Sequence, residues 1–358
     1  MIDPKSRSLA WIEHAGTLIP NIVDTALIEK AIRALSLLES LVLSGCPFIF
    51  KGGTALMLHL DTSRRLSIDI DIVCPPGLDI REFLRQNVNE YGFIEVEEVE
   101  RHSRTGVPKS HAEYRYAVTY PSGRPIDKIL LDVLYEDIHY HEIVNLPIAS
   151  PLLIQNGAPI MVRCPSLNDM LGDKLTAFAP HTTGIPFFKG EDECFMEIMK
   201  QLYDISSIID RIDDISTVCK TYNEIVPIEL GYRKMDDLSK DDVLNDTYNC
   251  ATNICMRGAL SQIEYRYYSE GARRVNNFII PENYNTDIAI RDAAKVAYLI
   301  RLIQSGRSQV KHYEPEMNKK LSEKLIQDIS LNKLNRIKKI NIEAFFYLLE
   351  IEKMEESH

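Results

Sequence analysis

The chain has 358 residues, 45% hydrophobic and 26% charged, with a formal net charge of −11. That length predicts two or three domains with a sizeable core, and the acidic balance argues against a general nucleic-acid coat, which works by neutralising phosphate. The seven cysteines are scattered and odd in number, no apolar run reaches the roughly 20 residues needed to cross a bilayer, and the N-terminus lacks a signal-peptide core, so a reducing cytoplasm without membrane contact is expected. Cys250 and Cys255 lie close together, but no His or Cys cluster in the sequence completes a zinc set, and no zinc site is expected.

Residues 24–45 carry Ile28, Ile32, Leu35, Leu38 and Val42 at helical spacing and end at Gly45. Phe48-Ile49-Phe50 is a short apolar strand broken by Gly52 and Gly53, after which Thr54 opens a helical run. Glycines at a helix start leave backbone N–H groups uncovered, which makes an anion site. Residues 67–72 read as a strand with Ile68, Ile70 and Ile72 on one face and Asp69 and Asp71 on the other. Side chains two apart on a strand point the same way, about 7 Å apart. Like charges so placed repel unless a cation lies between them, and Mg²⁺ takes carboxylate oxygens together with substrate phosphate. An anion cradle followed by a metal-binding pair suggests nucleoside triphosphate chemistry. Arg64 and Arg65, just before the acidic strand, are either phosphate contacts or solvated side chains.

Pro75-Pro76-Gly77 stops that strand, residues 79–91 read as a helix, and strands follow at 93–99, 113–120 and 128–135. In the last of these Asp132 interrupts an apolar run, either as a strand-end salt bridge or as a third carboxylate joining Asp69 and Asp71 to complete a metal site. Asp132 is also a candidate base towards an attacking hydroxyl. The character changes after Pro165: Ser166 and Asp169 read as a helix cap with its partner, and nearly everything to Glu352 reads as helix. The expected organisation is a mixed α/β domain over residues 1–165 and an all-helical domain over residues 166–358.

Lys174 and Asp204 lie on predicted helices of the second domain. Their bland readings are a solvated lysine and an exposed i,i+4 pair of Asp204 with Lys200, worth only tenths of a kcal/mol. The functional reading puts Lys174 on a triphosphate as a point charge, with Asp204 as its orienting partner or a nucleobase contact. The loop at 181–190 is either a lid or a plain connector. The segment containing Lys319, Lys320, Lys324, Lys333, Arg336, Lys338 and Lys339 is the most basic part of the chain, a solvated face or a groove for RNA.

These residues resemble the AbiEii family of nucleotidyltransferase toxins, the toxin half of type IV toxin–antitoxin and abortive-infection systems. The family signature, Gly-Gly-Thr-x-Leu followed by Arg-x-Ser-x-Asp-x-Asp, stands here as Gly52-Gly53-Thr54-Ala55-Leu56 and Arg65-Leu66-Ser67-Ile68-Asp69-Ile70-Asp71; Asp173-Lys174-Leu175-Thr176-Ala177 and Asp204 match its later motifs. The resemblance covers roughly residues 48–206. About 30 residues separate Lys174 from Asp204, where many relatives have the two motifs closer together. It implies an α/β nucleotidyltransferase core of the DNA polymerase beta type, a mixed sheet with flanking helices, plus a helical C-terminal domain, with the site in the cleft between them. It also implies Mg²⁺ or Mn²⁺ on Asp69, Asp71 and Asp132. The NTP would lie against Gly52, Gly53, Thr54, Arg65, Ser67 and Lys174, with Asp204 in support. The expected acceptor is an RNA hydroxyl, at the 3′ end of tRNA, and the expected partner a cognate antitoxin encoded alongside. The rival readings are transfer to a small molecule or a protein hydroxyl, and a non-catalytic nucleotide-binding module.

Overall fold

The computed structural model describes residues 1–19, 21, 24–60, 64–99, 107–121, 123–328 and 332–355. These cluster into two compact units: unit 1 is Met1–Ser166 with Asn277–Asn283, and unit 2 is Leu167–Asn276 with Tyr284–His358. Among the described residues no helix is long and apolar enough to cross a membrane.

Unit 1 opens with helices α1 (Leu9–Thr17) and α2 (Thr25–Leu43), followed by β1 (Ile49–Lys51), α3 (Gly52–His59), β2 (Ile70–Cys74) and the single turn α4 (Arg81–Leu84). It continues with β3 (Glu95–Val99), β4 (Lys109–Ala117), β5 (Ile126–Tyr135), β6 (Ile143–Pro147) and β7 (Met161–Pro165). Among the described residues β1 to β5 form a sheet in the order β1-β2-β5-β4-β3, and β6 pairs with β7. The β2–β5 pair is parallel and the other pairs of the sheet antiparallel, so the sheet is mixed. Helix α2 buries Ile28, Ile32, Leu35 and Leu38, as its apolar spacing predicts. Its buried charges are satisfied: Glu29 pairs with Arg33 at 3.1 Å and accepts from the N–H of Thr119 and Tyr120, while Glu39 accepts from the N–H of Ile2.

Several elements differ from expectation. The helix expected at 79–91 is confined to Arg81–Leu84; Asn87 and Gly92 take positive φ (59° and 78°), and the chain proceeds by turns. Ile80, Leu84, Val88 and Tyr91 are nevertheless buried, so turns reproduce the apolar spacing that read as helical. Strand β2 begins at Ile70 rather than at 67, leaving Asp69 just before it. Strands β6 and β7 were not expected at all.

Unit 2 contains α5 (Leu167–Ala177), the short strands β8 (Phe188–Lys189) and β9 (Asp192–Glu193), α6 (Phe195–Ile209), α7 (Ser216–Arg233), α8 (Lys240–Cys255) and α9 (Gln262–Val275). It ends with α10 (Thr286–Gln304), α11 (Asn318–Ser322) and α12 (Ile342–Glu355). Helix α10 touches α6, α8, α9 and α12. It buries Ala293, Ala294, Val296, Ala297, Leu299 and Ile300 together with the charged Asp292 and Lys295, the burial of an inner helix.

Candidate active site

The glycine pair sits where β1 turns into α3. Lys51 occupies the N-cap and makes no side-chain cap hydrogen bond, and Gly52 has φ +78°, a region that costs other residues strain. A Cβ on Gly52 would lie 2.1 Å from Asp71 Oδ2, and one on Gly53 would lie 2.5 Å from Arg65 Nη2 and 2.7 Å from Ser67 Oγ. The absent side chains therefore mark the point where a carboxylate, a guanidinium and a hydroxyl converge on the start of a helix. The Thr54 hydroxyl is buried and donates to the carbonyl of Asp69 at 2.6 Å. It ties the helix to the acidic segment, so its hydroxyl is committed inside the protein rather than turned towards a phosphate.

Arg65 is buried and donates to the carbonyl of Leu66 at 3.0 Å. It also forms an isolated antiparallel bridge with Ile279, flanked by hydrogen bonds from Leu66 N–H to Phe278 and from Ile280 N–H to Arg64. Residues 277–283, which lie far along the chain among the helices, thus help frame the segment that precedes the aspartates.

Strand register brings the acidic residues together. Lys51 on β1 pairs with Asp71 on β2, Asp71 with Asp132 on β5, and Asp132 with His111 on β4. Residues in direct register share a face, and adjacent strands lie about 4.8 Å apart. Asp69 is exposed, Asp71 half-buried, and the Asp132 side chain 40% exposed, so the carboxylates remain accessible. His111 is mostly buried, and its Nδ1 lies 2.5 Å from Asp132 Oδ1. His111 was missed from the sequence because it lies 21 residues before Asp132, outside the strand expected at 113–120. A cavity of about 660 Å³ between α4 and the β4–β5 strands is lined by Arg81, Lys109, Ser110, His111, Val133 and Tyr135 among others. It shares only His111 with the row.

Lys174 and Asp204 belong to unit 2, on α5 and α6. Lys174 Nζ lies 2.7 Å from Asp204 Oδ2 and 3.3 Å from Gln201 Oε1, with both charged side chains buried. The pairing of these two was one of the readings open from sequence; the solvated lysine was another, and burial overturns it. Of the basic C-terminal residues, Lys338 donates to the carbonyls of Ser322 and Lys324 at 2.7 and 2.6 Å, holding α11 and the segment after it. Lys320 and Lys324 are exposed.

A family model, "Nucleotidyl transferase AbiEii toxin, Type IV TA system", matches residues 33–243, a span that contains Gly52, Gly53, Asp69, Asp71, Asp132, Lys174 and Asp204. No curated protein matches the chain. Among solved structures, that of a protein from H. pylori provisionally assigned as a nucleotidyltransferase is 15% identical, with a TM-score of 0.42 over 79% of this chain and 96% of its own.

Proposed function

Because the chain belongs to the AbiEii family of type IV toxin–antitoxin nucleotidyltransferases, and is itself a nucleotidyltransferase, we propose that it moves a nucleoside monophosphate from an NTP to an RNA hydroxyl at the 3′ end of tRNA. The observation that carries this reading is the convergence at Gly52 and Gly53, where Asp71, Arg65 and Ser67 meet the uncapped start of α3. Backbone N–H groups there attract triphosphate oxygens.

The donor set Asp69, Asp71 and Asp132 is all oxygen, the set that hard divalent cations take. Mg²⁺ or Mn²⁺ held by these three residues would neutralise charge on the triphosphate. Lys174, oriented by Asp204, contributes a further positive charge to phosphate in this reading. Gly52 and Gly53 keep the cradle open, Thr54 fixes it through Asp69, and Arg65 holds the approach. The acceptor oxygen forms a bond to the α-phosphorus, the bond from that phosphorus to the bridging oxygen breaks, pyrophosphate leaves, and the hydroxyl proton passes to water. Positioning and charge neutralisation carry such a transfer, with little covalent chemistry asked of the protein. As a toxin of this family the chain acts under the control of a cognate antitoxin, and we place that partner in the adjacent gene.

The test is incubation with labelled NTPs and total RNA, protein and metabolite pools. Label in RNA that EDTA prevents and Mg²⁺ restores, and that Asp69→Ala and Asp71→Ala abolish, is the expected result. The net charge of −11 favours a small molecule or a protein hydroxyl as acceptor instead, and label in those pools would establish that reading. Nucleotide binding with no transferred label in any pool would leave a non-catalytic module.

A further inference from the structure

We propose that unit 2 carries a binding site for a borderline-soft divalent cation, Zn²⁺ or a metal like it, formed by His181 Nδ1, Asp246 Oδ1 and Cys250 Sγ. Asp246 and Cys250 are four residues apart on α8, so they rise from one face of the helix. His181 comes from the loop after α5. The three atoms lie within 4.8 Å of one another: Sγ is 3.5 Å from Oδ1 and 3.9 Å from Nδ1, and Nδ1 is 2.7 Å from Oδ1. Ligand–ligand edges in a tetrahedral zinc site are about 3.3–3.8 Å, given bonds of about 2.0–2.3 Å. The two sulfur edges are already close to that size, and the third is reached by opening one hydrogen bond by about 0.6 Å.

The surroundings match what ligating groups require. A metal-bound histidine gives its other ring N–H to a carboxylate, and His181 Nε2 lies 3.0 Å from Glu264 Oε1 on α9. A ligating carboxylate is held through its second oxygen, and Asp246 Oδ2 accepts from the His181 N–H and the Thr182 hydroxyl, each at 2.9 Å. The Tyr268 hydroxyl is buried beside Cys250, where it would donate a hydrogen bond to a thiolate. Asp246 and Cys250 are buried while His181 is half exposed, so a cation enters from the His181 side and keeps a water as its fourth ligand.

A bare ion pair explains less. An imidazolium clasped by Asp246 and Glu264 accounts for His181, whose pKa those carboxylates push up to about 9. It asks nothing of the Cys250 sulfur beyond a weak 3.5 Å contact with Asp246 Oδ1. On metal binding, bonds form from the cation to Nδ1, Oδ1 and Sγ, and the imidazolium and thiol protons leave to water. The cation then pins the start of the 181–190 loop to α8, with the Phe187 ring edge-on against His181 at 5.6 Å.

The experiment is a Co²⁺ titration of the metal-stripped full-length protein, with Mg²⁺ in excess so that oxygen-only sites are filled. One equivalent of Co²⁺ should bind with a thiolate-to-cobalt charge-transfer band, and Zn²⁺ should displace it. His181→Ala, at a half-exposed position where the fold is retained, should weaken Co²⁺ binding by 10-fold or more, and Cys250→Ala should abolish the band. Should Cys250→Ala fail to fold, His181→Ala decides alone. A wild-type protein that shows no band, or a His181→Ala variant that binds as tightly as wild type, overturns the site.

Discussion

The carboxylate row of unit 1 and the Lys174–Asp204 pair of unit 2 use charge in opposite ways. In the row, Asp71 and Asp132 stand side by side in strand register between Lys51 and His111, with Asp69 two residues before Asp71, and all three carboxylates are accessible. In the pair, a lysine and an aspartate neutralise each other at 2.7 Å inside a helical core. Packing alone accounts for the pair, because a buried charge must be matched. It accounts less well for the row, where Asp71 and Asp132 lie directly opposite each other on adjacent strands, an alignment of like charges that costs stability. An arrangement that folding does not need is the stronger pointer to chemistry, and by that measure the row outranks the pair.

The largest expected effect tests that ranking directly. Asp69→Ala and Asp71→Ala should each lower nucleotidyl transfer by on the order of 10³-fold while thermal unfolding stays where it is in wild type. Transfer at the wild-type rate in either variant would remove the row from the chemistry. A variant that melts early would show the carboxylates to be structural and dissolve the contrast.

Next is the buried pair. Lys174→Ala should destabilise unit 2 by about 3–5 kcal/mol, because Asp204 is left buried without its partner. The double substitution Lys174→Met with Asp204→Leu should recover most of that loss, since well-packed apolar replacements of a buried ion pair are often neutral. Transfer measured in the stable double variant then separates the roles. Activity at wild-type level makes the pair structural; strongly reduced activity in a protein of restored stability assigns Lys174 to the triphosphate. Chemical denaturation and single-turnover transfer on the same samples give both readings.

What the sequence disclosed and what it hid follow from distance along the chain. The glycine pair and Asp69–Asp71 were legible because a turn and an i, i+2 face are local properties that spacing alone determines. The family signature is built from the same short stretches. His111 was hidden because only the β4–β5 register places it against Asp132. The burial of Lys174 was hidden because helical spacing does not say which face meets another helix, although Met170, Leu171 and Leu175 around it are buried. The approach of residues 277–283 to Arg65 had no local signal, being a contact across more than 200 residues. The approach of His181 to Cys250 was hidden in the same way, because 69 residues separate them along the chain.

A smaller effect is expected one step back from the row. His111 holds one oxygen of Asp132, the relation by which neighbouring groups orient ligating carboxylates. His111→Ala should weaken Mn²⁺ binding to the row by about 10-fold, and His111→Asn, which keeps a donor, should recover part of it. Mn²⁺ affinity measured by electron paramagnetic resonance checks this without reliance on turnover. Equal affinity in all three proteins would make His111 a strand residue with no part in the site.

The smallest effect concerns the basic C-terminal segment, whose residues are not equivalent. Lys338 is occupied by two backbone carbonyls, so its loss reports on folding. Lys320 and Lys324 are exposed and rim a cavity of about 400 Å³ together with Lys311, Lys353 and Phe346. If the acceptor is RNA and this rim meets its phosphates, Lys320→Gln with Lys324→Gln should lower the log–log salt slope of RNA binding by about 0.7 per lost contact, the value for single strands. The NTP concentration dependence of transfer should stay at its wild-type value, because the glycine cradle lies in unit 1. Lys338→Gln should instead shift the melting temperature and leave the slope unchanged. An unchanged slope in the Lys320/Lys324 variant would make this rim an ordinary solvated surface, and the acceptor would then be sought among molecules that need no basic track to hold them.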